Sequence, residues 1–242
     1  MPSPAKSGCA APGKASTTCY IMKTCKTVIS IILAILLSSP AFGAGEKGSG
    51  DLEHLLTEIQ RHYDRTASYS AKFEEEIAAV GAPKRERSGK VYFRKPGRMR
   101  WDFAGEQPET IVSDGTTLYN FDPGLNQVIE TPLSQALKSS GATAFLLGMG
   151  NLRRDFKASF APNSGAGQSI GLALVPKAGG YTIQIGVDPA TYDLITLVLT
   201  DQLGNVTRVK FTDIHNNTEL ADILFIFKVP AGVDIVTPPP SP

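Results

Sequence analysis

From Asp51 to Thr66 (DLEHLLTEIQRHYDRT), Leu52, Leu55, Leu56, Ile59 and Tyr63 recur at spacings of three and four. That spacing predicts one amphipathic helix with a single apolar stripe, and Asp51 is placed to cap it. Directly afterwards the period falls to two. In SYSAKFEEEI, Tyr69, Ala71, Phe73 and Ile77 alternate with Ser70, Lys72, Glu74 and Glu76, the pattern of a half-buried strand. The same rhythm returns in GKVYF, RMRWDF, TIVS, TLYNF, QVIE, SIGLALV, YTIQIGV, LITLVLT, VTRVKF and ILFIFKV. Turn signals part these runs: Pro96-Gly97, Asp114-Gly115, Asp122-Pro123-Gly124, Gly179-Gly180, Asp188-Pro189 and Gly204-Asn205. Asp114-Gly115 reads as the two-residue loop of a hairpin. About eleven strands at short spacing predict a mostly β fold, a mostly antiparallel sheet curled into a barrel or a sandwich.

One stretch breaks the rhythm. Pro132–Leu152 (PLSQALKSSGATAFLLGMGNL) predicts one or two short helices, and Phe145, Leu146, Leu147, Met149 and Leu152 make them apolar. Helices inserted into a curled sheet must lay that surface on something, and the concave face is the available place.

The opening residues read differently from the rest. Lys23 and Lys26 precede the apolar run Val28–Leu37, broken by Ser30 alone and followed by Ser38-Ser39-Pro40 and the small residues around Gly43 and Ala44. This is the plan of a cleaved secretory signal over residues 1–43, with Met22 a second possible start. The run falls short of the roughly 20 residues that span a bilayer; an uncleaved anchor is the other reading. Cys9, Cys19 and Cys25 all precede the cleavage region, so the exported body is expected to carry no disulfide and no lipidated cysteine. Residues 44–242 then form one domain, with a proline-rich tail over 237–242. The whole chain has 24 Lys and Arg against 23 Asp and Glu. Four of the lysines lie in the leader, so the exported body is slightly acidic. That argues against nucleic acid as a partner. The charge is nevertheless lopsided: Lys84–Arg100 holds eight basic residues and one acid, Glu86. Such a run is either simply solvated or able to steer an acidic partner surface.

Catalytic signals are thin. Gly167-Gln168-Ser169-Ile170-Gly171 fits G-x-S-x-G, with Asp188 or Asp213 and then His215 downstream, the chain order of an α/β-hydrolase. That motif needs a strand before the serine and a helix after it, whereas here a loop leads into an alternating run. An esterase using Ser169 is therefore the minor alternative, and no catalytic residue is assigned. His54, His62 and His215 form no metal-ligand spacing, and no phosphate-binding glycine loop is present. Neither a metal nor a cofactor is expected. The basic run resolves into period-two alternation after the Pro96-Gly97 turn: Met99, Trp101 and Phe103 share one face, and Arg98, Arg100 and Asp102 the other. A curled sheet lined by such aromatics can enclose an apolar ligand.

Taken together, RKPGRMRWDF, IVSDGTTLYNFDPGLNQVIETPL and FKVPAGVDIV resemble the periplasmic outer-membrane lipoprotein carriers, the LolA family. The resemblance runs from about Asp51 to Val236. It implies an incomplete barrel closed by short lid helices, with lipoprotein acyl chains held between lid and sheet. On that basis Tyr92, Met99, Trp101, Phe103, Leu118, Phe121, Phe145, Leu146, Leu147 and Met149 are the expected acyl-chain lining. The implied partners are outer-membrane-directed lipoproteins, an inner-membrane ABC transporter and an outer-membrane acceptor, served by a monomeric periplasmic shuttle. The family has arginine immediately before the proline of RKPG, where it latches the lid. Here that position is Lys95, with Arg94 beside it, and lysine lacks the planar fork of donors. Met99 stands where relatives often place an aromatic. A lipid-binding or envelope-stress sensor module on the same fold is the alternative.

Overall fold

A computed structural model describes residues 47–139, 150–162, 169–177 and 179–238. The expected leader, the lid residues Phe145, Leu146, Leu147 and Met149, and Gly167 and Gln168 of the G-x-S-x-G motif lie outside the described residues.

Helix α1 spans Lys47–Arg65. Asp51 therefore lies inside the helix and does not cap it. The predicted stripe is the buried face, with Leu55, Leu56 and Ile59 in the core and Leu52 and Tyr63 packed against it. The strands follow as β1 (Ser68–Ala78), β2 (Arg85–Arg94), β3 (Arg98–Ala104), β4 (Glu109–Asp114), β5 (Thr117–Asp122) and β6 (Gln127–Pro132). Two short helices, α2 (Leu133–Ser139) and α3 (Leu152–Asp155), flank the undescribed segment. Then come β7 (Phe156–Phe160), β8 (Ile170–Pro176), β9 (Thr182–Val187), β10 (Leu194–Thr200), β11 (Val206–Asn216) and β12 (Asp234–Val236).

All twelve strands join one sheet in the order β12-β6-β5-β4-β3-β2-β1-β11-β10-β9-β8-β7. Every pairing is antiparallel except β12 on β6. The sheet is open, with β12 and β7 as its edges. One core cluster runs from Leu118 on β5 to Phe156 on β7, and α1 lies in it. Helix α1 is tied towards both halves of the sheet: Lys95, after β2, donates to the Tyr63 carbonyl, and the Leu152 amide of α3 donates to Gln60 Oε1 at 2.9 Å.

The sheet differs from the expected one in three places. Phe156–Phe160 and Asp234–Val236 are strands too short to show an alternation by themselves. ILFIFKV is no strand: Asp222–Phe225 is a 3-10 turn, and irregular backbone follows. Its alternation records one-sided packing of a strap onto the outer face of β3 and β4, where Phe225 is buried and Ile223 and Ile226 are exposed. At the β4–β5 turn the paired residues are Ser113 and Leu118, so the loop is Gly115-Thr116 and not Asp114-Gly115. Gly115 supplies the positive φ of 101°, while the Asp114 carboxylate accepts from the Thr116 and Thr117 amides at 2.7 and 2.9 Å.

Candidate functional site

Alternation on β1, β2, β3 and β11 delivers aromatics to the inner face. Register pairs Tyr69 with Phe93, Phe73 with Gly89, Gly89 with Phe103, and Phe73 with Phe211. Trp101 is the hub. Its ring lies 4.7 Å from Phe73, 6.0 Å from Phe93, 6.2 Å from Phe103 and 6.1 Å from Phe211, centre to centre. Edge-on and tilted contacts dominate, the arrangement favoured by ring quadrupoles. Phe73 and Phe103 are buried, whereas Trp101 is half-buried.

The two ends of this face are polar. At one, Arg87 lies over the Phe103 ring at 4.0 Å and pairs with Glu75 at 2.6 Å and Glu109 at 2.5 Å. At the other, the C-terminus of α1 meets the sheet. His62 pairs with Asp193 at 2.9 Å, and Asn216 Nδ2 donates to the same carboxylate at 2.5 Å. Burial pushes the Asp193 carboxyl up, but the hydrogen bonds from His62, Asn216 and Thr191 outweigh it and hold it below the usual carboxylate range. A depressed carboxyl stabilises above the unfolded value near pH 4, and that contribution is lost as pH falls through the folded value. Asp193→Asn is therefore expected to cost about 1.5 kcal/mol at pH 7. In urea unfolding the gap to wild type should close below about pH 4; a gap unchanged to pH 2.5 would contradict this. Burial raises the Tyr63 and Tyr69 hydroxyls well above their ordinary range and lowers Lys95. The void among His62, Tyr63, Tyr69, Phe93, Leu194 and Asn216 measures only about 30 Å³. Among the described residues the inner face at the C-terminal end of α1 is closely packed.

Of the expected lining, Met99, Trp101, Phe103 and Leu118 meet in the core cluster. Tyr92 and Phe121 do not. Tyr92 pairs with Arg100, and Phe121 pairs with Val128, both on the outer face; there Phe121 and Tyr119 pack on Phe227 at 5.7 and 5.3 Å. Arg94 is also on the outer side. It donates to the Leu220 carbonyl at 2.7 Å, pairs with Asp222 and lies over Phe225, so it pins the strap. Lys95 bonds the last turn of α1 through Tyr63. Sequence reading missed Tyr69, Phe73, Phe93 and Phe211 as site residues, although the alternation that exposed Trp101 marks them too.

The basic run is largely spent inside the molecule. Lys84 pairs with Glu76, Arg87 with Glu75 and Glu109, Arg94 and Arg98 with Asp222, and Arg100 with Asp102. The esterase alternative gains nothing: His215 bonds Asp213 at 3.1 Å, while Ser169 lies against Gly186 on β9. Among the described residues no group of three or more His, Cys, Asp or Glu could hold a metal ion.

Residues 64–228 match the family model described as outer membrane lipoprotein carrier protein LolA. A curated outer-membrane lipoprotein carrier protein of Bordetella avium is 29% identical over 210 residues, 84% of this chain and 94% of its own. That of Chromobacterium violaceum is 30% identical over 203 residues, 84% of this chain and 96% of its own. Among solved structures, a LolA superfamily protein from Nitrosomonas europaea superposes with a TM-score of 0.41 at 16% identity, covering 73% of this chain and 97% of that one. With the family model matched over more than half its length and a relative at 30% identity covered almost throughout, the chain belongs to the LolA family of outer-membrane lipoprotein carriers.

Proposed function

We propose that the protein is a periplasmic shuttle that shields the acyl chains of lipoproteins on the inner face of its sheet. It receives them from an inner-membrane ABC transporter, hands them to an outer-membrane acceptor, and does so without covalent chemistry. The observation that carries this reading is the Trp101-centred apolar face under α1, in a chain of the carrier family.

The physical need is large. Exposing acyl chains to water costs about 0.8 kcal/mol per CH₂. For about 45 methylenes on three chains that is on the order of 35 kcal/mol. Non-covalent affinity saturates near roughly −18 to −21 kcal/mol, and a shuttle must also release. Partial coverage by a surface with two packings meets both demands. In the cargo-free state the protein's own side chains occupy the inner face, and in the loaded state acyl chains take their place. Helix α1 and the half-buried Trp101 are the groups positioned to make room.

The test is extraction. Inner-membrane vesicles carrying outer-membrane-directed lipoprotein are incubated with the purified protein and pelleted. The reading expects lipoprotein in the supernatant, co-eluting with the carrier. A supernatant free of lipoprotein, with the carrier in excess and the transporter active, contradicts it.

A further inference from the structure

At the end of β1 far from α1, about 33 Å along the strand, two hairpin tips stand side by side. Residues 78–83 read AAVGAP and residues 202–204 read QLG, with no charge in either stretch. The Val80 amide donates to Asn205 Oδ1 at 3.0 Å, and Val80 Cγ2 approaches the Gly204 position to within 3.6 Å of a Cβ built there. Val80 is 72% exposed and Leu203 79%. The acid between the strands, Asp201, is turned into its own loop. It accepts from the amides of Leu203 and Asn205 at 2.9 and 2.8 Å and from Asn205 Nδ2 at 2.7 Å. Behind the tips stand long cations. Lys84 and Arg208 share one carboxylate, Glu76, each at 3.1 Å. Arg85 donates to the neutral amide of Gln107 at 3.0 Å. Glu76 takes both Lys84 and Arg208, and Glu86 faces Glu76 across the β1–β2 pair.

We propose that this knob is a membrane-contact surface that seats in the interface of an anionic phospholipid bilayer. Val80 and Leu203 enter the boundary between headgroups and chains, while Lys84, Arg85 and Arg208 lie back along their stems to reach lipid phosphates. The shape favours a bilayer over a folded partner: both aliphatic side chains stand strongly exposed at hairpin tips. Two buried aliphatics give weak, reversible contact, as suits a protein that visits a membrane and leaves it. The contact involves no cargo-binding step, so this proposal and the carrier reading fail separately.

The test is co-sedimentation of the protein, recovered from the periplasm, with vesicles of equal parts phosphatidylglycerol and phosphatidylcholine. Wild type is expected to bind, and more weakly to phosphatidylcholine alone. The double variant Val80→Asp, Leu203→Asp is expected to bind about tenfold less while melting like wild type, since both side chains are exposed. Ile223→Asp, which alters an exposed apolar residue on the strap, is expected to bind like wild type. No binding by wild type, an unaffected double variant, or an equal loss in Ile223→Asp would each overturn the proposal.

Discussion

Gly89→Ala is expected to destabilise the protein by about 3 kcal/mol, although it adds one methyl group. A Cβ at Gly89 would stand 1.9 Å from the carbonyl oxygen of Asp102 and 2.9 Å from the Phe73 ring. Neither neighbour is a free side-chain end. The carbonyl belongs to β3, hydrogen-bonded along its length to β2. The ring is 1% exposed and locked against Trp101 and Phe103. Gly89 lets β3 approach β2 closely and lets Phe73 lie flat across the gap in the side-chain row. Restoring a Cβ must push β3 outward or turn Phe73 out of the cluster, and either lifts the floor of the site. Urea unfolding should show a lower midpoint with an unchanged slope. A midpoint within experimental error of wild type would remove the close approach from the account.

Trp101→Ala carries the second large effect, and it acts on stability and on function together. The indole bridges four rings, and removing it takes that shared contact from all of them. Truncations of this kind cost about 3 kcal/mol or more. Trp101→Glu is worse: it sets a carboxylate among Phe73, Phe93, Phe103 and Phe211 with no partner. Trp101 is both the floor of the candidate site and packed against the core. Trp101→Phe separates the roles: most of the packing survives, while the contact surface offered to cargo shrinks. Thermal melting should rank wild type, Trp101→Phe and Trp101→Ala in falling order, and extraction of lipoprotein should fall with them. Full extraction by Trp101→Ala would place the acyl chains elsewhere.

Sheet and helix were legible because both bury one face, and burial writes its period into the chain. The α1 stripe and the phase of β3 came directly from that. Tyr92 and Phe121, lining residues by the resemblance, face outward because phase decides the face: Val91 and Phe93 set the inner face of β2, and Leu118 that of β5. The strap, by contrast, misled. Phe225 and Phe227 alternate as a strand would, but they pack onto the outer face as a separate layer, and no local pattern distinguishes that from pairing. The charge of Lys84–Arg100 was visible and its destination was not, since Asp222 lies 128 residues from Arg94 in sequence. Short edge strands such as β12 carry too few residues to declare a period.

The central claim is that acyl chains lie against the inner face, and the composition provides its own probe. Trp101 is the single tryptophan of the chain. A diacylated lipopeptide with bromine on its chains, titrated into the protein, should quench the Trp101 emission by contact and saturate with binding. Cargo that co-elutes with the protein while Trp101 emission stays at its cargo-free level would contradict the claim.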